Sequence, residues 1–293
     1  PHSPANDDAS EPDDLRRSNG DRAYTEAESR LSTSVRILEA EQRIVANAGR
    51  RDGRMVADSA VDLALLETTA NGVKLNTGQV MLVRDMATSA RRVQLAIAPA
   101  GAGKTTAMQA LARAWTNSGG TVLGLAPSAV AAAGLGDQIG SHADTLAKLA
   151  WHITYGGPPA WMSQIGPDTL VIIDEAGMAD TLSLDTVITH LLDAGASVRL
   201  IGDDQQLGAI GAGGVLRDIQ ASPGALRLAE LVRFPDPAEG SASLALRAGH
   251  PEALGFYLDR GRIHIGDQAT MTDHVFAAWI ADLHRKSGVI LHF

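Results

Sequence analysis

One stretch constrains this chain more than any other: Ala98-Pro99-Ala100-Gly101-Ala102-Gly103-Lys104-Thr105-Thr106. It follows an apolar run, Val93-Gln94-Leu95-Ala96-Ile97, and precedes a helical pattern, Met108-Gln109-Ala110-Leu111-Ala112-Arg113-Ala114-Trp115. A strand, a loop of small residues closing on Gly-Lys-Thr, and a helix together make the setting of a P-loop. The small residues let backbone N–H groups wrap a polyphosphate, and the helix N-terminus adds partial positive charge. Lys104 can reach β- and γ-phosphates, and the Thr105 hydroxyl can hold Mg²⁺. The pattern normally opens on Gly, and here that position is Ala98.

From Asn76 onward, strand and helix patterns alternate. Strand candidates fall at 93–98, 121–126, 169–173, 198–202 and 226–231, several of them near-continuous Val/Ile/Leu runs. Such runs suit strands covered on both faces. The expected fold is therefore α/β, a parallel sheet with helices on both faces. Ahead of it, Leu31, Val35, Leu38 and Ile44 recur at helical spacing, and 56–66 repeats the behaviour, so 21–74 reads as a small helical subdomain. Residues 1–20, rich in Pro, Asp and Ser, read as a disordered tail or linker. The motor-like block is 75–235, and 236–293 a helical connector leading into a further unit.

Composition narrows the chemistry. No cysteine is present, which excludes disulfides, thiolate zinc sites and cysteine nucleophiles, and fits a reducing cytosol. No apolar run approaches a membrane span. The net charge of −9 gives no basic footprint, so any nucleic-acid binding rests on a local track. The chain opens on Pro1, which suggests a piece of a longer product.

Beyond the loop, Leu170-Val171-Ile172-Ile173-Asp174-Glu175-Ala176 is an apolar strand ending in two carboxylates. On a strand neighbouring the P-loop strand, Asp174 would hold Mg²⁺ through water and Glu175 would polarise an attacking water. Taken alone, the pair equally suits an acidic helix N-cap. Gly202-Asp203-Asp204-Gln205-Gln206-Leu207 ends another strand, with Gln205 placed to sense a γ-phosphate, or simply forming a polar turn. The Gln79 amide offers the donor and acceptor that match the N6/N7 edge of adenine. Arg233, after the fifth strand candidate, can stabilise transition-state charge.

These pieces occur in a fixed order: Leu75-Asn76-Thr77-Gly78-Gln79, the Gly-Lys-Thr loop, Gly124-Leu125-Ala126-Pro127-Ser128, Thr145-Leu146-Ala147-Lys148-Leu149, Ile173-Asp174-Glu175-Ala176 and Gly202 to Leu207. In that order they resemble the first motor domain of a superfamily 1 helicase of the RecD-like branch, a RecA-like P-loop NTPase. More narrowly, they resemble the helicase portion of the conjugative relaxases of the TrwC/TraI (MobF) kind. The resemblance spans about 21–293 and implies roles by position. Gln79 is similar to the adenine-reading Q motif, and 99–106 with Lys104 and Thr105 to Walker A. Asp174 and Glu175 are similar to Walker B, Gln205 to motif III, and Arg233 to the motif IV arginine. Pro127, Ser128 and Thr145 match motifs that grip single-strand phosphates. Lys148 adds a charge and Trp151 a stacking face, although the spacing of Trp151 from Leu146 and Leu149 favours the core.

The resemblance also implies ATP and Mg²⁺ as cofactors, single-stranded DNA as partner, 5′→3′ movement, a cytoplasmic setting and an upstream relaxase domain. A strand-separating pin is expected between Thr145 and Walker B, where 151–167 reads as a short hairpin or loop. A new apolar strand, Val289-Ile290-Leu291, begins just before Phe293, so the second motor domain is expected to be missing. The scattered His residues and Tyr24, Tyr155 and Tyr257 carry no nicking or zinc signature. Two other readings stand beside this one: a nucleotide-binding module that does not cycle, and a P-loop kinase.

Overall fold

A computed structural model describes residues 34–203, 214–228, 230–234 and 236–287, with side chains to 283. Six parallel strands form one sheet: β1 Val93–Ile97, β2 Thr121–Ala126, β3 Ala143–Thr145, β4 Thr169–Ile173, β5 Ser197–Gly202 and β6 Ala225–Arg227, in the order β3-β2-β4-β5-β1-β6. β1, β4 and β5 are buried along their whole length, as their apolar runs require.

Alternate residues feed two cores. Ala96, Leu170, Ile172 and Ile201 face one side, where α2 Asp58–Ala70, α3 Thr77–Thr88, α4 Lys104–Asn117 and α5 Ala129–Ile139 pack. Val93, Leu95, Val171, Ile173, Val198 and Leu200 face the other, under α1 Val35–Gly49, α6 Leu146–Tyr155, α7 Thr181–Asp193 and α8 Val215–Ala221. The helices of the expected N-terminal subdomain are therefore split. Ile44 and Ala48 of α1 join one core, and Val61 and Ala64 of α2 join the other. Both are layers of the sheet fold, one on each face. Beyond the sheet follow α9 Pro237–Arg247, α10 Leu254–Leu258 and α11 Gln268–Ser287.

Three strand expectations change. β3 lies outside the expected set; β6 stops at Arg227 rather than continuing to 231; and β4 does not adjoin β1, since β5 runs between them. The 151–167 segment forms no hairpin: α6 continues to Tyr155, and a 3₁₀ turn covers Ala160–Gln164. Gly156, at φ +83°, stops the helix. Tyr24, the 1–20 tail and the 289–291 run lie outside the described residues.

Candidate nucleotide and nucleic-acid site

All six strands run the same way, so the residues following β1, β2, β4 and β5 gather at one edge, where ligands bind in open α/β sheets. The loop after β1 is held from several directions. The Ala98 N–H donates to the Gly202 carbonyl of β5 at 2.9 Å, and the Ala102 N–H closes on the Pro99 carbonyl at 3.1 Å. The Gly101 carbonyl accepts from both Val232 and Arg233 N–H groups, at 2.9 and 3.1 Å. Gly101 and Gly103 have φ of +87° and +75°, conformations that favour glycine. A Cβ on Gly103 would also stand 2.2 Å from Gln79 Nε2. Pro99 and Ala102 are buried, Ala100 and Thr105 exposed, and Thr106 half-buried in the first turn of α4. No side chain caps α4, since Gly103 is its N-cap.

Lys104 is the first residue of α4, and its Nζ donates to Glu175 Oε1 at 2.9 Å. The ammonium therefore reaches past the end of β5 to the carboxylates after β4. Glu175 is held in the left-handed region at φ +48°, a strain seen mostly where function demands it. Its N–H donates to Asp174 Oδ1 at 2.9 Å, and the Asp174 N–H is tied to the Leu125 carbonyl of β2. Burial holds the Asp174 carboxyl above its ordinary range; Lys104 opposes this and the Glu175 charge reinforces it. A desolvated carboxylate beside a second one, with the exposed Thr105 hydroxyl in the first turn of α4, is a hard-oxygen donor set that suits Mg²⁺.

Gln79 is 2% exposed. It is the N3 residue of the α3 capping box: its Oε1 accepts from the Asn76 N–H at 2.8 Å, and its own N–H donates to Asn76 Oδ1 at 2.8 Å. Its Nε2 donates to the Gly103 carbonyl at 3.0 Å. The amide thus braces the loop through both its oxygen and its nitrogen. Arg233 is exposed, and its side chain lies over Gly101, where an added Cβ would meet its own Cβ at 2.9 Å. Gln205 lies outside the described residues.

Arg247 escaped sequence reasoning. It ends α9 and pairs with Asp203, the buried residue that follows β5. With Arg227 and Pro99 it lines a cavity of about 180 Å³ beside the loop. The partners are 44 residues apart, and nothing local marks them.

The expected single-strand track lies toward the other end of the same edge. Ala126 pairs in register with Thr145, so Pro127, Ser128 and Thr145 are neighbours. Ser128 Oγ accepts from the Ala131 N–H and Thr145 Oγ1 from the Lys148 N–H, so both hydroxyls cap helices, α5 and α6. Two helix N-termini thus lie side by side at exposed Pro127 and Ser128. Lys148 pairs with Asp144 at 2.7 Å, on the surface. Trp151 is exposed and does not join the core: Leu146 and Leu149 point inward while Trp151 falls on the opposite stripe. Among the described residues, no group of three or more His, Cys, Asp or Glu can hold a metal, and no helix is long and apolar enough to cross a membrane.

Sheet order, glycine-built loop and paired carboxylates define a P-loop domain of RecA-like, helicase-like architecture. The chain belongs to the AAA domain family, whose profile matches residues 74–268. It is 31% identical over 244 residues to the conjugal transfer protein TraA of Rhizobium radiobacter, covering 82% of this chain and 21% of that protein. A second TraA, from Agrobacterium fabrum, is 31% identical over 203 residues, covering 68% and 18%. The chain thus spans about a fifth of the length of the curated relatives it matches. In fold it is similar to the crystal structure of the Pif1 helicase from Candida albicans, with TM-score 0.50 and 16% identity over 67% of this chain and 50% of that one.

Proposed function

We propose that this chain is an ATP- and Mg²⁺-dependent motor domain of a cytoplasmic 5′→3′ DNA helicase of the RecD-like branch, working within a conjugative relaxase–helicase. The observation that carries the reading is Lys104 reaching Glu175 at 2.9 Å across the end of β5. A lysine opening the helix after the Gly-rich loop, in contact with a carboxylate that follows another strand of the sheet, is the arrangement a shared phosphate position calls for. The AAA family match and the likeness to conjugal transfer proteins support the setting. We further assign the 75–235 block, with α1 and α2 covering its sheet, as the motor domain, and 236–293 as the connector to a second one, with a relaxase domain upstream.

In this reading residues 99–106 wrap the triphosphate with backbone N–H groups, and Lys104 supplies the charge-assisted bonds to its β/γ oxygens. Thr105 and Asp174 hold the Mg²⁺, which when bound offsets phosphate charge. Glu175 accepts the proton of the attacking water. Arg233 steadies charge at the γ-phosphate, Gln205 links nucleotide state to the strand, and Gln79 contacts the adenine edge while bracing Gly103. Pro127, Ser128, Thr145 and Lys148 hold single-strand phosphates through N–H groups, hydroxyls and one ammonium. The test is ATP hydrolysis with and without single-stranded DNA. Stimulation by the strand is the expected result; turnover indifferent to it, or transfer of phosphate to a small acceptor, would contradict the reading.

A further inference from the structure

We propose that Trp151 and Tyr155 form a base-stacking platform for single-stranded nucleic acid, continuing the track that begins at Thr145. The inference rests on the DNA-binding part of the reading above and adds a second kind of contact to it.

α6 turns Leu146 and Leu149 into the core, with Ala150 and Ile153 packed behind them. The outer stripe carries Lys148, Trp151 and Tyr155 at spacings of three and four, which place them on one face. Trp151 is 54% and Tyr155 73% exposed. Their ring centroids lie 5.5 Å apart, tilted by 40°, and His152 abuts Trp151 edge-on at 5.1 Å. The two rings are therefore held as neighbours with their outer faces open.

The occupant follows from three features. First, no aliphatic side chain is among the large exposed apolar groups of α6, whose only such members are the two rings. Flat aromatic faces without aliphatic neighbours suit the π-face that every base offers. Second, the stripe starts at Lys148, whose N–H is bonded to Thr145 Oγ1 at the helix N-terminus beside Pro127 and Ser128. A strand gripped there by its phosphates passes directly onto the rings, about 10 Å further at the helical rise of roughly 1.5 Å per residue. That length spans about three stacked bases at roughly 3.4 Å each. Third, with a net charge of −9 the chain as a whole does not attract a polyanion, so a strand held here depends on local contacts, and stacking is one that needs no cation.

The experiment measures binding of a labelled dT15 strand and a fully abasic strand of equal length by anisotropy. The intact chain is compared with Trp151→Ala/Tyr155→Ala and with Trp151→Phe. Both positions are on the surface, and unchanged ATP binding checks that the variants are folded. We expect the double variant to lose on the order of tenfold or more for dT15 and nothing for the abasic strand. Trp151→Phe should keep most of the affinity. Equal dT15 binding by the intact chain and the double variant would overturn the platform alone, as would an equal loss on the abasic strand. If the intact chain binds ATP but no dT15, the platform and the DNA part of the functional reading fail together.

Discussion

Glu175 occupies a left-handed backbone position at φ +48° that no other described residue outside glycine shares except Ala90. Such strain costs on the order of 1 kcal/mol and persists only where surrounding contacts enforce it. Here those contacts are the Asp174 Oδ1 acceptor and the Lys104 ammonium. Glu175→Gln keeps the shape and removes the proton acceptor. Hydrolysis should fall about 10²- to 10⁴-fold while ATP binding holds or tightens, because Lys104 loses a competing partner. Parallel turnover and calorimetric measurements on the variant check this; a loss of binding would make Glu175 a structural residue. Asp174 makes the opposite kind of prediction. Its proton affinity is raised in the folded chain, chiefly by burial, so the folded state holds the proton more tightly than the unfolded one. Its ionised form therefore costs stability at neutral pH, and that cost shrinks as pH falls below the folded-state value and is gone below the unfolded one. Asp174→Asn should melt higher than the intact chain at neutral pH, with the gap closing on acidification, yet lose Mg²⁺-dependent turnover. A lower melting point at neutral pH would contradict it.

At the scale of elements, α3 links the loop to the sheet. Its N-terminal Gln79 donates to Gly103, and its C-terminal Met86 carbonyl accepts from Arg199 Nε and NH2 at 2.9 and 2.6 Å. Arg199 is wholly buried on β5, and burial pushes its pKa down to about 9, so it stays charged at neutral pH. Its remaining NH1 donor satisfies the Arg91 and Val198 carbonyls. Arg199→Met would leave buried carbonyls without partners and should cost about 2–4 kcal/mol of stability. It should also weaken ATP binding through the loosened α3–loop contact; a denaturation midpoint equal to that of the intact chain would refute the pinning role. Sequence patterns expose some of these elements and hide others. β2 and β4 match their expected bounds because each is an uninterrupted apolar run between turn residues. β3 escapes because Ala143-Asp144-Thr145 is three half-buried residues at a sheet edge, too short for any period. Trp151 is misjudged because its spacings of two from Leu149 and five from Leu146 both place it across the helix from the apolar stripe, which takes steps of three and four.

For the whole molecule, the site is legible where it is contiguous and illegible where it is assembled. The loop, the carboxylates after β4 and the order of motifs lie open in the sequence because each is a short run with fixed chemistry. That β5 runs between their two strands, that Arg233 and Val232 seal Gly101, and that Arg247 meets Asp203 follow only from the sheet order and the return of α9. The same order places the Gly-rich loop toward one end of the edge, after β1, and the helix N-termini after β2 and β3 toward the other, with the β4 carboxylates between them. Asp174, bonded to Leu125 of β2, and the Lys104–Glu175 pair form the physical connection from one to the other. All of this presupposes that the loop takes a triphosphate, and calorimetric titration with ATP in the presence of Mg²⁺ tests that most directly. The account predicts one saturable site in the intact chain and no measurable binding to Lys104→Ala, since the ammonium is the principal side-chain charge offered to the β/γ-phosphates. Equal affinity in the two proteins would contradict it.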